Sequence, residues 1–311
     1  MQPWSAWLQA SRPLAAANVA VPLILGQALA FGTRGQFSWQ LFGVVQLLGV
    51  LVQLFIVFAN DFADREADAL NRSPTLLSGG SRVIQDGKLP AHALSLGAWI
   101  MLGAQLVVGL YLGWSAGRWW TLALLGLAAL LMWAYSYSPL RLSYRGQGEL
   151  LQGVGVGVVL PVLGFYVQAG SFADLPIWGL GPCFILAYVG NLLTALPDYE
   201  GDKAAKKRTY PVRFGQFQAR RHALQMSMVA VGFGWLVVPG LPWWARVLIV
   251  TIPQIPLIAA ARLLGTADAS NQNECLRFVL WVSGAANLAM LAWTLAALIR
   301  GWVAWAGAGL A

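Results

Sequence analysis

The chain has 311 residues, of which 58% are hydrophobic and only 10% charged, and its mean hydropathy is +0.63. A soluble domain of ordinary composition carries about 25% charged residues, so a water-soluble globular fold is excluded and a polytopic membrane protein is expected. Cys183 and Cys275 are too few and too far apart for a disulfide framework, and the formal net charge of +8 is not gathered into the separate basic domain that nucleic-acid binding would need.

Met1 to Arg12 carries Trp4, Trp7 and Leu8 at helical spacing and reads as a short interfacial helix, not a cleavable signal peptide. Nine spans follow, at roughly 13–31, 39–59, 93–113, 119–138, 148–168, 177–197, 223–239, 244–262 and 278–299. Gly153, Gly155 and Gly157 form a small-residue strip that lets a neighbouring helix approach closely. Trp119, Trp120, Trp178, Trp243, Trp244, Trp302 and Trp305 lie near span ends, as an aromatic belt would. Arg34, Arg118, Arg246 and Arg300 fall on one side of this topology and every other Lys and Arg on the other. The positive-inside rule puts the N-terminus and the more basic loops in the cytoplasm, for a multi-pass protein of the cell (cytoplasmic) membrane. A basic face there suits anionic lipid headgroups and an anionic substrate.

Two acidic clusters each follow an apolar run. Asp61, Asp64 and Asp68, in the stretch from Asn60 to Asp68, are spaced i, i+3, i+7, and Asp198 and Asp202 are spaced i, i+4. On a helix each set shares one face. Carboxylates so close repel one another unless a divalent cation or basic side chains stand between them. Solvated helix-end charges explain one such cluster as readily as a site does, but two at the ends of membrane-length segments point to a site. Asp64 and Asp68 map onto Asp198 and Asp202 at an offset of 134 residues. This suggests a single domain, 1–311, of two pseudo-repeated halves, roughly 13–138 and 148–262, with a ninth helix at 278–299. Facing halves would bring the two clusters together across a central cavity.

The ligand set is oxygen-only, and His92 and His222 stand alone and read as interfacial residues. Such a set suits a hard cation such as Mg²⁺, which is usually held by one or two carboxylates together with substrate phosphates. Arg65, Arg72, Arg82 and Lys88 follow the first cluster and Lys203, Lys206, Lys207 and Arg208 the second, and such groups neutralise diphosphate oxygens. An anionic head with a long apolar tail, as in a polyprenyl diphosphate, fits this charge pattern at the mouth of a membrane cavity. Metal and basic groups would stabilise the departing diphosphate, and aromatic faces the cationic carbon.

Asn60-Asp61, Asp64 and Asp68 match the NDxxDxxxD motif, and Asp198 with Asp202 the DxxxD motif, of the UbiA superfamily of intramembrane prenyltransferases, which the whole chain resembles. Ser11-Arg12-Pro13 with Pro22 and Gly26 resembles the first span of its menaquinone-pathway, naphthoate branch. Gly79 to Gly87 resembles that branch's glycine-rich segment after the first motif, Tyr135 to Leu140 with Tyr144-Arg145-Gly146 and Gly148-Glu149 its segment between spans four and five, and the stretch from Asp198 to Gly215 its second motif region. Two features depart from that branch. The first motif has the general superfamily spacing, and Leu14-Ala15 stands where Lys-Thr is usual.

The resemblance implies an all-α bundle of nine transmembrane helices around a central cavity. It implies Mg²⁺, expected as two ions, held by Asn60, Asp61, Asp64, Asp68, Asp198 and Asp202. Phosphate contacts are expected from Arg65, Arg82, Lys203 and Lys207, with Arg72 and Lys88 left as loop charges. Tyr135, Tyr137 and Tyr144 are candidates for cation stabilisation, with interfacial anchoring the alternative for each. Glu149 is expected on the acceptor side, the alternative being an ion pair with Arg145. Arg12 and Asn18 are candidates to reach an acceptor carboxylate, though Asn18 serves equally as a packing residue. The expected partners are polyprenyl diphosphate, an aromatic acceptor and the lipid bilayer, with no nucleic acid and no obligate protein partner. The acceptor is expected to be 1,4-dihydroxy-2-naphthoate. Other rings, a glycerol-type lipid or acceptor-free cyclisation are alternatives within the superfamily. A transporter is the alternative outside it, disfavoured because Asp, Glu, Lys and Arg occur in the spans only near their ends.

Overall fold

The computed structural model describes residues 3–71, 74, 79–268 and 270–308; Arg72 lies outside them. Among the described residues the fold is all-helical. The helices are α1 (Pro3–Ala10), α2 (Ala17–Arg34), α3 (Trp39–Leu70), α4 (Ala91–Ala116), α5 (Trp120–Ser136), α6 (Gly148–Ala169), α7 (Leu180–Ala195), α8 (Tyr199–Ala204), α9 (Tyr210–Phe214), α10 (Gln216–Gly232), α11 (Trp243–Ala261) and α12 (Gln272–Ala308). Seven helical segments among the described residues are long and apolar enough to cross a membrane. Helices α5 and α10, of 17 residues each, are shorter than these.

Two helices exceed the lengths the apolar runs suggest. Helix α3 does not stop where its apolar run ends at Ala59 but continues unbroken through the acidic motif to Leu70, 32 residues in all. At 1.5 Å per residue that is about 48 Å against a hydrocarbon core of about 30 Å, so the motif stands on a rigid helical extension. Ser38 starts the helix by accepting the Leu41 N–H at 3.2 Å. Helix α12 has 37 residues and likewise outruns its predicted span. The seventh span begins earlier than its apolar run, at Gln216, and its helix ends at Gly232. Just beyond it, Gly234 packs where a Cβ would lie 2.5 Å from Trp293 Nε1.

Helix α2 is the axis of the bundle, packed between α6 and α12. A Cβ on Gly26 would strike the Pro161 carbonyl of α6, and one on Gly164 would strike the Leu23 carbonyl of α2. These reciprocal glycines let the two backbones touch, as small residues do in membrane helix pairs. Gly157, from the predicted strip, packs in the same way against Cys183 of α7, within a π-helical turn at Gly155–Val159.

One end of the bundle is closed by arginines. Arg34 donates to Ala169 O at 2.9 Å and pairs with Asp174 at 2.8 Å. Arg118 donates to Val167 O at 2.8 Å and Ala116 O at 2.9 Å, Arg246 to Leu241 O at 2.8 Å, and Arg300 to Pro239 O. These are the four basic residues set apart in the sequence: Arg34 and Arg118 satisfy carbonyls in the last turns of α6 and α4, and Arg246 and Arg300 satisfy loop carbonyls just before α11. The belt tryptophans lie at these same helix ends and are exposed, Trp178 at 80% and Trp243 at 78%. Replacing Gly26 with Val should lower the unfolding temperature in detergent by an amount equivalent to about 1–3 kcal/mol of overpacking. Gly43→Val, where a Cβ meets nothing within 4 Å, should change it little; equal effects would refute the close α2–α6 contact.

Candidate active site

The acidic face of α3 packs against four other stretches of chain, around Arg12, around Ser81, from Ser136 to Tyr144, and at Lys207. Asp61 pairs with Arg12, which follows α1, and its carboxylate oxygens accept the Ser81 N–H at 3.3 and 3.4 Å. Asp64 is 4% exposed. Its Oδ1 accepts the Tyr144 hydroxyl at 3.0 Å, and its Oδ2 accepts Asn60 Nδ2 and Lys207 Nζ, both at 3.1 Å. Asn60 also donates to Ser136 Oγ at 3.2 Å. Asp68 lies against Gly80, whose backbone has φ +72° and where any Cβ would collide with the carboxylate. A glycine is required there twice over, by conformation and by space.

The second cluster meets the first. Asn71, at the end of α3, donates to Asp198 Oδ1 at 2.8 Å. Thr209 donates to Asp202 Oδ2 at 3.0 Å. The Lys207 ammonium sits between the clusters, 3.1 Å from Asp64 and 3.9 Å from Asp202, over the face of Tyr144 at 4.9 Å. Arg141 covers that ring at 4.2 Å. Among the described residues no three carboxylates gather at metal-ligand spacing; Lys207 and Arg12 stand between them as counterions. The donors are nonetheless the all-oxygen set that suits a hard divalent cation.

Backbone strain concentrates here. Among the described residues the non-glycine positions with positive φ are Arg12, Arg82, Arg141 and Lys206. Each such conformation costs about 1–3 kcal/mol and persists only where the surroundings enforce it. Arg12 reaches Asp61, Arg82 donates to Asp68 O at 2.6 Å, Arg141 covers Tyr144, and Lys206 precedes Lys207.

Charge and burial fix the protonation states. Burial, reinforced by Asp202, pushes the Asp198 carboxyl up to about 7. Burial likewise pushes Asp202 up to about 6, against the pull of Lys207 and Thr209. Burial alone would lower Lys207, but Asp64 and Asp202 outweigh it and hold the ammonium above its ordinary range. Tyr144 is pushed up to about 12 by burial and then by Asp64, so it remains a neutral phenol that donates.

Several expected residues are engaged elsewhere. Arg65 donates to its own helix at Phe62 O, 2.7 Å, and pairs with Glu66, so it is turned from the cluster. Lys203 is exposed beside Tyr199. Lys88 bonds Gln9 and Asp86, both at 2.9 Å. The Tyr137 hydroxyl is given to Ala59 O at 3.0 Å. Asn18 lines a cavity of about 60 Å³ between α2, α6, α7 and α12. Arg145 donates to Pro139 O at 2.8 Å, and Glu149 instead accepts the Tyr210 N–H at 3.0 Å, so the Glu149–Arg145 alternative is replaced by a helix-start contact. Tyr135 bonds Asn191 at 2.9 Å. Asn71, Ser81 and Thr209 went unassigned in the sequence. Asn71, three residues after Asp68, and Thr209, two after Lys207, carry short polar side chains of a kind common in any loop; Ser81 acts through its backbone N–H, which no side-chain pattern encodes.

A family model described as the UbiA prenyltransferase family matches residues 19–283. The chain belongs to the UbiA prenyltransferase family. It is therefore a prenyltransferase. A 1,4-dihydroxy-2-naphthoate octaprenyltransferase of Bacillus subtilis is 27% identical over 230 residues, covering 74% of this chain and 71% of the relative. The bacteriochlorophyll synthase 33 kDa chain of Rhodobacter capsulatus is 37% identical over 203 residues, 62% of each chain. A UbiA homolog from Archaeoglobus fulgidus, solved with GPP and Mg²⁺, superposes with a TM-score of 0.69 at 18% identity, over 94% of this chain and 99% of that one. That likeness shows the same fold.

The raised carboxyls give a pH signature. Between pH 3.8, the ordinary aspartate value, and about 7, the folded chain retains protons on Asp198 and Asp202 that the unfolded chain has released. Stability therefore falls as pH rises through that window. In the presence of chelator the unfolding temperature should drop from pH 5 to pH 8, and Asp198→Asn should flatten the slope. A rise over that range, or an unchanged slope in the variant, would contradict the burial of these carboxyls.

Proposed function

We propose that the chain transfers a polyprenyl group from polyprenyl diphosphate to 1,4-dihydroxy-2-naphthoate, in menaquinone biosynthesis, with Mg²⁺ as cofactor. The observation that carries this reading is the junction at Lys207, where acidic faces from two separate segments converge on one ammonium beside an aromatic face. Such a place is suited to a doubly anionic headgroup and to a carbon that becomes cationic next to it. Asn60, Asp61, Asp64, Asp68, Asp198 and Asp202 would hold the metal, as two ions. Mg²⁺ bound there would supply neutralisation of the diphosphate charge.

The allylic C–O bond breaks and its electron pair leaves with the diphosphate. Lys207, Arg12 and Arg82 donate to the phosphate oxygens. The faces of Tyr144 and Tyr135 stabilise the cationic carbon. A ring carbon of the acceptor attacks that carbon, and its ring proton is lost, with Glu149 the acceptor-side carboxylate. Burial of the site excludes water that would otherwise capture the cation. Arg65 and Lys203 have no part in this arrangement. The acidic end faces the cytoplasm, and the arginine-capped, tryptophan-lined end lies opposite. The two acidic segments are equivalent parts of two four-helix halves in one domain, with α12 outside the repeat.

The naphthoate acceptor rests on the Bacillus subtilis relative and on the branch-like segments around Gly79 and Tyr135. A larger ring is the second reading, favoured by the 37% identity to the Rhodobacter capsulatus protein. Membranes containing the protein, given Mg²⁺, labelled polyprenyl diphosphate and separate acceptors, decide between them. A chelator-sensitive prenylated naphthoate is expected. Product with another ring would move the acceptor and keep the mechanism, and diphosphate release without an adduct would indicate cyclisation. Asp64→Ala and Asp198→Ala should each lower turnover by at least about 10²-fold with the protein still folded in the membrane. An active Asp64→Ala variant would sink the reading.

A further inference from the structure

Tyr135 lies in the last turn of α5, where its backbone carbonyl accepts the Ser143 hydroxyl at 2.7 Å, next to Tyr144 of the acidic junction. Its phenol oxygen accepts a hydrogen bond from Asn191 Nδ2 of α7 at 2.9 Å. The same amide nitrogen donates to Gln152 Oε1 of α6 at 3.0 Å. Gln152 Nε2 in turn donates to the Ala187 carbonyl at 3.3 Å. This short chain has a fixed polarity. A backbone carbonyl only accepts, so the Gln152 NH₂ must face Ala187 and its oxygen must face Asn191. Asn191 must then present its NH₂ group, and both of its hydrogens are committed, one to Gln152 and one to Tyr135.

Tyr135 is thereby forced to accept at its oxygen, and its own hydrogen must go to a different acceptor. A phenol that accepts an amide N–H is also a stronger donor, because successive hydrogen bonds polarise one another. The ring has little freedom to escape. A Cβ on Gly148 would lie 3.1 Å from Tyr135 Cε2 and 3.3 Å from Asn191 Oδ1, so the start of α6 closes over both groups. Asn191 itself is buried.

We propose that Asn191 is a positioning residue for prenyl transfer, turning the Tyr135 O–H hydrogen onto an oxygen of the departing diphosphate. This rests on the prenyl-transfer reading above. The hydrogen stays on Tyr135. The bond that breaks is the prenyl C–O bond, whose electron pair leaves on the diphosphate oxygen, and the hydrogen bond strengthens as charge develops there.

The test is steady-state kinetics in membranes on Tyr135→Phe, Asn191→Leu, the double variant, Gln152→Leu and Gln152→Glu. Tyr135→Phe should lower kcat by about 10²-fold, the loss typical of one donor to developing negative charge, with KM for the prenyl diphosphate within about twofold. Asn191→Leu should lower kcat about tenfold. In the Tyr135→Phe background it should cost nothing further, because its effect runs through the hydroxyl. Gln152→Glu keeps an acceptor for Asn191 and should retain more activity than Gln152→Leu. Losses that multiply in the double variant would show a merely structural Asn191 and overturn the proposal. A Tyr135→Phe enzyme with wild-type kcat would overturn it even if Asn191→Leu failed to accumulate. Wild-type membranes that release no diphosphate would overturn the prenyl-transfer reading together with this one, whereas wild-type turnover with multiplying losses overturns this one alone.

Discussion

Like-charge repulsion between the carboxylates of α3 and those around α8 is the constraint to which the acidic end of this molecule is built. Asp61, Asp64 and Asp202 are all buried, and burial alone makes a carboxylate costly. Each is compensated individually, Asp61 by Arg12 and the Ser81 N–H, Asp64 by Lys207, Asn60 and Tyr144, and Asp202 by Thr209 and Lys207. Those compensating groups come from five separate stretches of chain. The loops of this end are therefore tied together by charge, and the left-handed conformation of Arg12 brings its guanidinium to Asp61. Basic side chains are needed at positions a relaxed backbone would not give them.

The opposite end of the bundle solves a different problem by different means. There the carbonyls of helix ends and of the loop before α11 need donors. Arg34, Arg118, Arg246 and Arg300 supply them. Between the two ends, α2 can lie against α6 because Gly26 and Gly164 remove the side chains that would part them.

Much of this was legible in the residues. The i, i+3, i+7 spacing put Asp61, Asp64 and Asp68 on one helix face, and the structure keeps them there by extending α3 to Leu70. The segregation of arginines separated the two ends correctly, because the capping arginines and the site arginines differ in which loops they occupy. What escaped was the choice among neighbouring basic residues. Arg65 and Arg82 look equivalent as sequence. Arg65 is on α3 one position past Asp64, so its stem leaves the helix on another face and turns back to Phe62. Arg82 arrives on a loop whose glycines direct it to Asp68. The sequence around Glu149 does not reveal its partner, because the Tyr210 N–H is 61 residues away and carries no side-chain signature. Backbone partners and loop trajectories are tertiary information.

The arginine-to-carbonyl contacts bind α2 to the end of α6, α5's start to the same place, and α12 to the segment before α11. They act as a clamp across the non-acidic end. The acceptors in these contacts are backbone carbonyls, which do not titrate, whereas the ties at the acidic end run through carboxylates, so a change of pH acts on that end and leaves the clamp untouched.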